Sequence, residues 1–341
     1  MAEQYDISVV ISTYNRCTLL PAAIESILDQ DAKDPSYEII VVDNNSTDNT
    51  KDLIARYSND NSNLKYILEP RQGVSYARNC GIAHARAPIL AFFDDDVRVA
   101  RDWLTKIKRY FDAHPEADCI GGKVLPRWES PPPAWLNRDQ WMPLGVQDYG
   151  DEELIIDSRN RLCLVSGNLA CRSSMFREIG SFAIELQRVK DGIGSLEDAE
   201  MMERCWRFGR RCVYLPDLMA STEVPAERMT KKYHRRWHMG HGRFYSKMRS
   251  EELENCSRRL LDVPAYLYRQ TFLDSLRWLR CFLSGESAQA FEYENHIRFF
   301  LGFFWERQKR ERGQGSRARS RTVNSDLVAR NPEPLPRSPE S

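Results

Sequence analysis

Short continuous apolar runs alternate with longer stretches whose apolar positions recur at helical spacing through the first third of the chain. Ile7 to Ser12, Glu38 to Val42 and Leu64 to Leu68 read as strands. A fourth begins after Pro88 as Ile89-Leu90-Ala91-Phe92-Phe93, apolar at every position, as a strand buried on both faces is. Between them, Leu19 to Leu28 is a predicted helix with Pro21 in its first turn. Thr47 or Ser46 caps a second through Asp52, Leu53 and Ile54, and Val74 to Ala85 and Trp103 to Phe111 follow. This rhythm predicts an α/β fold: a mostly parallel sheet flanked by helices on both faces.

After Cys119-Ile120-Gly121-Gly122 the pattern loosens. Pro126 to Tyr149 carries Pro131-Pro132-Pro133 together with Trp128, Trp135 and Trp141, too aromatic for a solvated linker, so an ordered loop or lid is expected. Order resumes over Leu162 to Ala170, then helices over Ser173 to Ile179 and Leu196 to Phe208, then a strand over Cys212 to Leu215. Two aromatic-rich amphipathic stretches lie between Val263 and Trp305, and the Arg-, Ser- and Pro-rich chain beyond Glu306 has the composition of a disordered tail. The expected division is an α/β domain over 1–240, a helical C-terminal appendage over 241–305 and a tail over 306–341.

Composition narrows the class. Basic and acidic residues number 49 each, so there is no basic excess of the kind a nucleic-acid binder needs. Nine cysteines with no C-x-x-C pair suit a reducing compartment. Met1 to Ile11 lacks the features of a signal peptide, and no uncharged apolar run is long enough to span a bilayer. The expectation is a cytoplasmic protein, with a peripheral seat on the inner face of the membrane left open.

Chemistry enters at Asp94-Asp95-Asp96, on the carboxyl end of the fourth strand. Three adjacent carboxylates repel one another unless a cation arrives, and a hard divalent ion with oxygen ligands is the usual answer. Ligands of open α/β sheets bind at this end of the strands. The chain is therefore expected to hold a metal, and the metal a phosphate. Arg71 and Arg78 stand near the start of the Val74 helix, whose N-terminal N–H groups would suit a diphosphate. Asp43 is either a turn aspartate or an acceptor for a nucleotide base, and Thr13 ends the first strand beside it. Glu197-Asp198 opens a helix after Gly192-Ile193-Gly194-Ser195. First-turn acids complement the helix dipole, and Ser195 with Asp198 fits a capping-box variant; the alternative is a general base. Gly167-Asn168 is a turn or a place where a sugar meets backbone. His234, His238 and His241 share one side of a helix if that stretch is helical.

Taken in order, several segments resemble the nucleotide-sugar domain of the family 2 inverting glycosyltransferases, which have the glycosyltransferase A fold. They are Val10-Ile11-Ser12-Thr13-Tyr14-Asn15-Arg16, Val41 to Asp48, Gln72-Gly73-Val74-Ser75-Tyr76-Ala77-Arg78-Asn79, Phe92 to Val97, Gly167-Asn168 and Glu197-Asp198. The resemblance covers 1–240. It implies a nucleoside-diphosphate sugar, a UDP-sugar by preference, with Thr13 and Asp43 at the base or ribose, Asp94 near the ribose and Asp95 beside it. It implies Asp96 on Mn²⁺ or Mg²⁺, Arg71 near the base, and Arg78 on the diphosphate side. Asp198 would take the proton of an acceptor hydroxyl, with Glu197, Arg236 and Trp237 on the acceptor side and His238 near the metal. Two departures stand out: Ser195-Leu196 replaces a glycine that often precedes the acidic pair. Tyr233 replaces the glutamine of the Gln-x-x-Arg-Trp signature of polymer-extending members, which argues against such a role here.

Three other readings compete. An aspartate-nucleophile phosphatase needs its D-x-D after the first strand, and here it follows the fourth. A nucleotidyltransferase needs a Gly-rich basic loop where Ser12 to Arg16 stands. A non-catalytic membrane scaffold would bind no nucleotide. In the C-terminal region, Phe272, Leu276, Leu279 and Phe282 are interleaved with Arg269, Arg277 and Arg280. That mixture suits a membrane interface or a packing surface for the catalytic domain or a second subunit. Related enzymes imply a lipid-linked glycan as one candidate acceptor.

Overall fold

The computed structural model describes residues 5–31, 35–189, 192–248 and 251–320. Nine strands form one mixed sheet: β1 (Ile7–Thr13), β2 (Tyr37–Asp43), β3 (Leu64–Leu68), β4 (Ile89–Asp94), β5 (Val97–Val99), β6 (Cys119–Trp128), β7 (Leu154–Ile156), β8 (Leu169–Arg172) and β9 (Cys212–Val224). The spatial order is β3-β2-β1-β4-β8-β6-β9-β5, with β7 on β9. The first four are parallel, as the alternating strand and helix signals predict. β8 then runs antiparallel between β4 and β6, while β6 and β9 are parallel to each other.

Both faces of the sheet are covered. Val9, Ile11, Ile39, Val41 and Phe93 point to one side, where α1 (Leu20–Leu28), α2 (Thr50–Asp60) and α4 (Trp103–Ala113) supply Ile24, Ile27, Ile54, Trp103 and Ile107. The intervening Val10, Ile40, Val42, Leu90 and Phe92 point to the other. There α3 (Val74–His84), α5 (Ser173–Ile179) and α6 (Glu197–Arg207) supply Ala77, Phe176, Met201 and Met202. The period of two thus explains why these strands read as unbroken apolar runs. Each such side chain, fully buried, contributes roughly 1.5–3 kcal/mol.

β9 is longer than its Cys212–Leu215 signal. A bulge at Pro216-Asp217-Leu218 breaks the ladder, and pairing with β6 and β5 resumes from Met219 through Ser221 and Glu223. The aromatic segment after β6 is an ordered wall: Leu136, Leu144 and Val146 pack with Trp128, Trp135 and Trp141 against Val224, Met229 and Tyr233.

The helix α7 (Lys231–Met248) runs through position 240, so the chain does not change element at the expected domain boundary. After α8 (Glu251–Glu254) and a small hairpin, β10 (Arg259–Leu260) and β11 (Val263–Pro264), come α9 (Ala265–Ser284) and α10 (Ser287–Ser320). α10 lies along α7 and α9 along α10. The first contact is close because Gly242 faces the backbone at Phe299 and Gly302 faces the carbonyl of Met239. α10 continues past Glu306 to Ser320, where composition alone predicts a disordered tail. Near its Glu306 turn, buried Arg307 reaches Glu254 at 2.9 Å and Asp262 at 3.1 Å. The rest of the expected tail, 321–341, lies outside the described residues. Among the described residues no helix is long and apolar enough to cross a membrane.

Candidate active site

Parallel pairing brings the strand ends abreast. Thr13 sits opposite Asp43, and Ser12 opposite Asp94. Above them opens a cleft of about 1260 Å³, bounded by these strand ends, the start of α6, the 138–149 wall and one face of α7. Thr13, Arg78, Asp94, Asp95, Asp96, Glu197, Asp198, Arg236 and Trp237 all line it.

The buried Arg78 ties two of its walls together. One guanidinium nitrogen donates to Asp94 at 3.0 Å; the other donates to Glu197 at 3.0 Å and stands 3.6 Å from Asp198. Burial alone would lower the arginine's pKa, but the three acids more than offset it and hold the cation above its ordinary value. Arg78 is therefore a bridge between β4 and α6 rather than a cation displayed for a ligand.

Asp198 does not cap its helix. Leu196 occupies the cap position without a side-chain bond, so the capping-box alternative is not formed. Asp198 Oδ2 instead accepts from the backbone N–H and the hydroxyl of Ser166, both at 3.1 Å. Its Oδ1 is buried with no hydrogen-bond donor. Burial raises its pKa; Arg78 opposes the rise and Glu197 adds to it, with the result at about 6. A carboxylate with one oxygen anchored on Ser166, the other beside a cation without a hydrogen bond, and a pKa of about 6 is suited to taking a proton near neutral pH. The preceding loop keeps its shape through Gly194, at φ +87°, which packs against the backbone of α7 at Gly240 and His241.

At the other wall Arg16 Nη1 donates to Asp95 at 2.9 Å and to Asp96 at 2.6 Å, and Arg228 stands 3.6 Å from Asp96. Burial pushes Asp95 up to about 6 against the pull of Arg16. Burial works the same way on Asp96, yet Arg16 and Arg228 hold it below the usual carboxylate range. Asp94 is the most open of the three, its side chain 39% exposed beside Gly167.

Three expected site residues are not on the cleft wall. Asp43 is buried, and its oxygens accept from the Ser46 N–H at 2.8 Å and the Tyr66 hydroxyl at 3.1 Å, the bonds of a turn aspartate. Arg71 turns outward, gripping Glu69 at 2.8 Å and lying over the Tyr76 ring. His238 packs away from the acids; burial lowers it to about 3, with His241 and His234 adding to the effect. His241, stacked on Trp237, is the histidine of this face that reaches the cleft. The α3 N-terminus is also not open to a phosphate, because Gln187 Oε1 already accepts from the N–H groups of Ser75 and Tyr76.

Sequence reasoning left several contributors without a role. Arg16 lies inside a quoted motif, but its carboxylate partners stand 79 and 80 positions away. Ser166 adjoins the Gly167-Asn168 turn and carries no signal of its own. Gln187 and Arg228 come from stretches where the periodic pattern is lost.

Residues 8–180 match the family model described as Glycosyl transferase family 2. The chain belongs to that family and is a glycosyltransferase. It is 25% identical over 215 residues to the glucosyl-dolichyl phosphate glucuronosyltransferase of Haloferax volcanii, covering 61% of this chain and 66% of that one. It is 41% identical over 119 residues to the GalNAc(5)-diNAcBac-PP-undecaprenol beta-1,3-glucosyltransferase of Campylobacter jejuni, covering 33% of this chain and 38% of the relative. The chain thus spans less than two thirds of these relatives' lengths. Among solved structures, the Pyrobaculum calidifontis mannosyltransferase PcManGT in complex with GDP-Man and Mn²⁺ superposes with a TM-score of 0.59 at 16% identity, over 91% of this chain and 88% of that one. S. aureus TarS 1-349 in complex with UDP-GlcNAc gives 0.52 at 18%, over 91% and 92%. At these identities the likeness is one of fold, the glycosyltransferase A type.

Proposed function

We propose that the chain is a metal-dependent inverting glycosyltransferase that moves a sugar from a nucleoside-diphosphate sugar, a UDP-sugar, to a hydroxyl acceptor. The observation that carries this reading is the meeting of the Asp94-Asp95-Asp96 acids and the half-anchored Asp198 on one cleft. The cleft exceeds the ~300–1,000 Å³ of a site for one small molecule, which leaves room for donor and acceptor together. Its cations, Arg16, Arg188 and Arg228 beside the acids, suit a diphosphate.

Three carboxylates crowd this strand end, and burial, with the neighbouring Asp96 adding to it, holds Asp95 up at about 6 even with Arg16 beside it. That donor set fits a hard cation, Mn²⁺ or Mg²⁺, with Asp96 as ligand and Asp94 beside it. Among the described residues no three His, Cys, Asp or Glu side chains converge on one point. Mg²⁺-type sites commonly take only one or two carboxylates and complete their shell with phosphates and water. When bound, such a cation neutralises charge on the departing diphosphate. The residues of the chain do the rest. Ser166 and Arg78 hold the Asp198 carboxylate in place, and that carboxylate takes the acceptor's hydroxyl proton. The acceptor oxygen then bonds to the anomeric carbon on the face opposite the breaking carbon–phosphate-oxygen bond. Arg16 and Arg228 stabilise the negative charge that develops.

The relatives' names include dolichyl- and undecaprenol-linked substrates. They support a lipid-linked glycan as acceptor, cell-surface polysaccharide or glycolipid synthesis as the setting, and a peripheral position on the cytoplasmic face of the membrane. Thermal denaturation with a panel of nucleotide sugars, with and without Mn²⁺, tests the reading. A UDP-sugar is expected to raise the melting temperature only when Mn²⁺ is present. No stabilisation by any nucleotide would refute it.

A further inference from the structure

The cleft, α7, α10 and α9 form successive layers, and α9 is the outermost. Its inner side is anchored on α10 and the hairpin; its outer side is bare. Phe272, Leu276, Leu279 and Leu283 are 63%, 51%, 46% and 76% exposed. At 100° per residue these four lie within about 60° of one another and form a stripe roughly 16 Å long, parallel to the helix axis. Phe282, stacked on Trp278, is 64% exposed and widens it. The hairpin that leads into α9 adds two more exposed leucines, Leu260 and Leu261.

The exposed charges of α9 have one sign. Arg269 and Arg280 lie along one edge of the stripe and pair with no carboxylate among the described residues, and Arg277 lies further round on the same side. The one acid between Ala265 and Ser284 is Asp274, which is buried and held by Arg277 at 3.2 Å and His296 at 3.3 Å. The next acid, Glu286, lies beyond the helix end. An exposed apolar stripe with unpaired arginines along one edge is complementary to an anionic, apolar-cored surface. A second copy of the chain fits less well, because pairing α9 with α9 would place arginine rows together with no acid of the helix to answer them.

We infer that α9 docks this protein on anionic lipid, lying in the plane of the bilayer interface with Phe272, Leu276, Leu279 and Leu283 inserted and Arg269 and Arg280 at the headgroups. The stripe parallels the helix axis, so the helix lies on the surface and does not cross it. The inference does not depend on the transfer reaction.

The test is cosedimentation of the full chain, without nucleotide, with vesicles of phosphatidylcholine mixed with phosphatidylglycerol and with vesicles of phosphatidylcholine alone. Binding is expected to the mixed vesicles only, and to weaken as salt screens the arginines. Replacing Arg269→Gln and Arg280→Gln together should weaken it about 30-fold, a factor of roughly five for each cation near such a surface. Leu276→Ser with Leu279→Ser should weaken binding at least as much. Both double variants replace solvent-facing side chains and should melt with the wild type. Absence of binding to the mixed vesicles, or unchanged binding by both variants, overturns the proposal. So does a dimer in analytical ultracentrifugation that Leu276→Ser with Leu279→Ser dissociates, since that assigns the face to a second copy. Vesicle binding involves no donor sugar, so its failure would leave the glycosyltransferase reading standing.

Discussion

Arg78 meets Glu197 at 3.0 Å across 119 positions of sequence, and the same guanidinium holds Asp94 at 3.0 Å. The end of β4 and the start of α6 are therefore fixed to each other through one buried cation. The spacing between the acidic strand end and Asp198 is set by this bridge.

Removing that cation should be costly in two ways. Arg78→Met leaves Glu197 and Asp198 buried without their counter-charge, which typically costs about 3–5 kcal/mol. Arg78→Lys keeps the charge but replaces a planar fork with a single ammonium that cannot hold Asp94 and Glu197 at once. Denaturant unfolding should show Arg78→Met strongly destabilised and Arg78→Lys intermediate, with transfer activity depressed in both. Wild-type stability for Arg78→Met would show that the bridge does not hold the walls.

Asp198 predicts opposite effects on rate and stability. Asp198→Asn keeps the Ser166 anchor but removes the base, so transfer should fall roughly 10²–10⁴-fold while donor binding persists. In the wild type the base must be deprotonated, so kcat/KM should rise as pH climbs through about 6 and then level. The linkage sign runs the other way for folding. A carboxyl whose folded pKa lies above its unfolded value contributes stability below the unfolded pKa, and that contribution is lost as pH rises through about 6. Asp198→Asn should therefore melt higher than the wild type at neutral pH, and the difference should vanish toward pH 4. A flat rate profile through pH 6, or an active Asp198→Asn, would remove this residue from the base role.

β1, β2 and β4 were legible because strands buried on both faces read as nearly unbroken apolar runs, whereas the edge strand β3 was marked by Leu64, Tyr66 and Ile67 around Lys65. Ser173–Ile179 was legible for a different reason: the Gly167-Asn168 turn signal came shortly before a helical stretch. The outer half of β9 was not, since a bulge at Pro216-Asp217-Leu218 and the half-buried Ser221 and Glu223 break the apolar run before pairing resumes from Met219. At the site, Asp94 to Asp96 and Asp198 announce themselves as acids at element ends. Their neighbours do not. Arg16 and Ser166 act on them across long loops that only the folded sheet closes, and Gln187 occupies the α3 amides that had looked ready for phosphate. Asp43 and Arg71 illustrate the converse: residue types suited to ligands whose hydrogen bonds are spent locally.

Arg16 stands where positive charge is needed when no ligand is bound. Arg16→Met should destabilise the protein by roughly 3–5 kcal/mol, because Asp95 and Asp96 lose the one guanidinium that touches both. The same variant should respond more strongly to added Mn²⁺ than the wild type does, since the ion then meets an uncompensated acid pair. Differential scanning fluorimetry across a Mn²⁺ titration reads both effects. A variant whose melting temperature is insensitive to Mn²⁺ would argue that these acids do not hold the ion.

The α7–α10 contact offers a test in which two local effects oppose each other. Within a helix, Gly→Ala is favourable by about 1 kcal/mol. At Gly302, however, an added methyl would run into the carbonyl oxygen of Met239, and at Gly242 into the backbone of Phe299. Those obstacles are main chain in packed helices and cannot rotate aside, so overpacking of about 1–3 kcal/mol should outweigh the propensity gain. Gly302→Ala and Gly242→Ala should each lower stability in urea unfolding, and Gly302→Val should lower it further. Because α7 carries Tyr233, Arg236 and Trp237 into the cleft, displacement of α10 should also raise KM for the acceptor more than for the donor. Equal stability of Gly302→Ala and wild type would mean the helices separate readily at this crossing, and the layered order from cleft to α9 would then be loose.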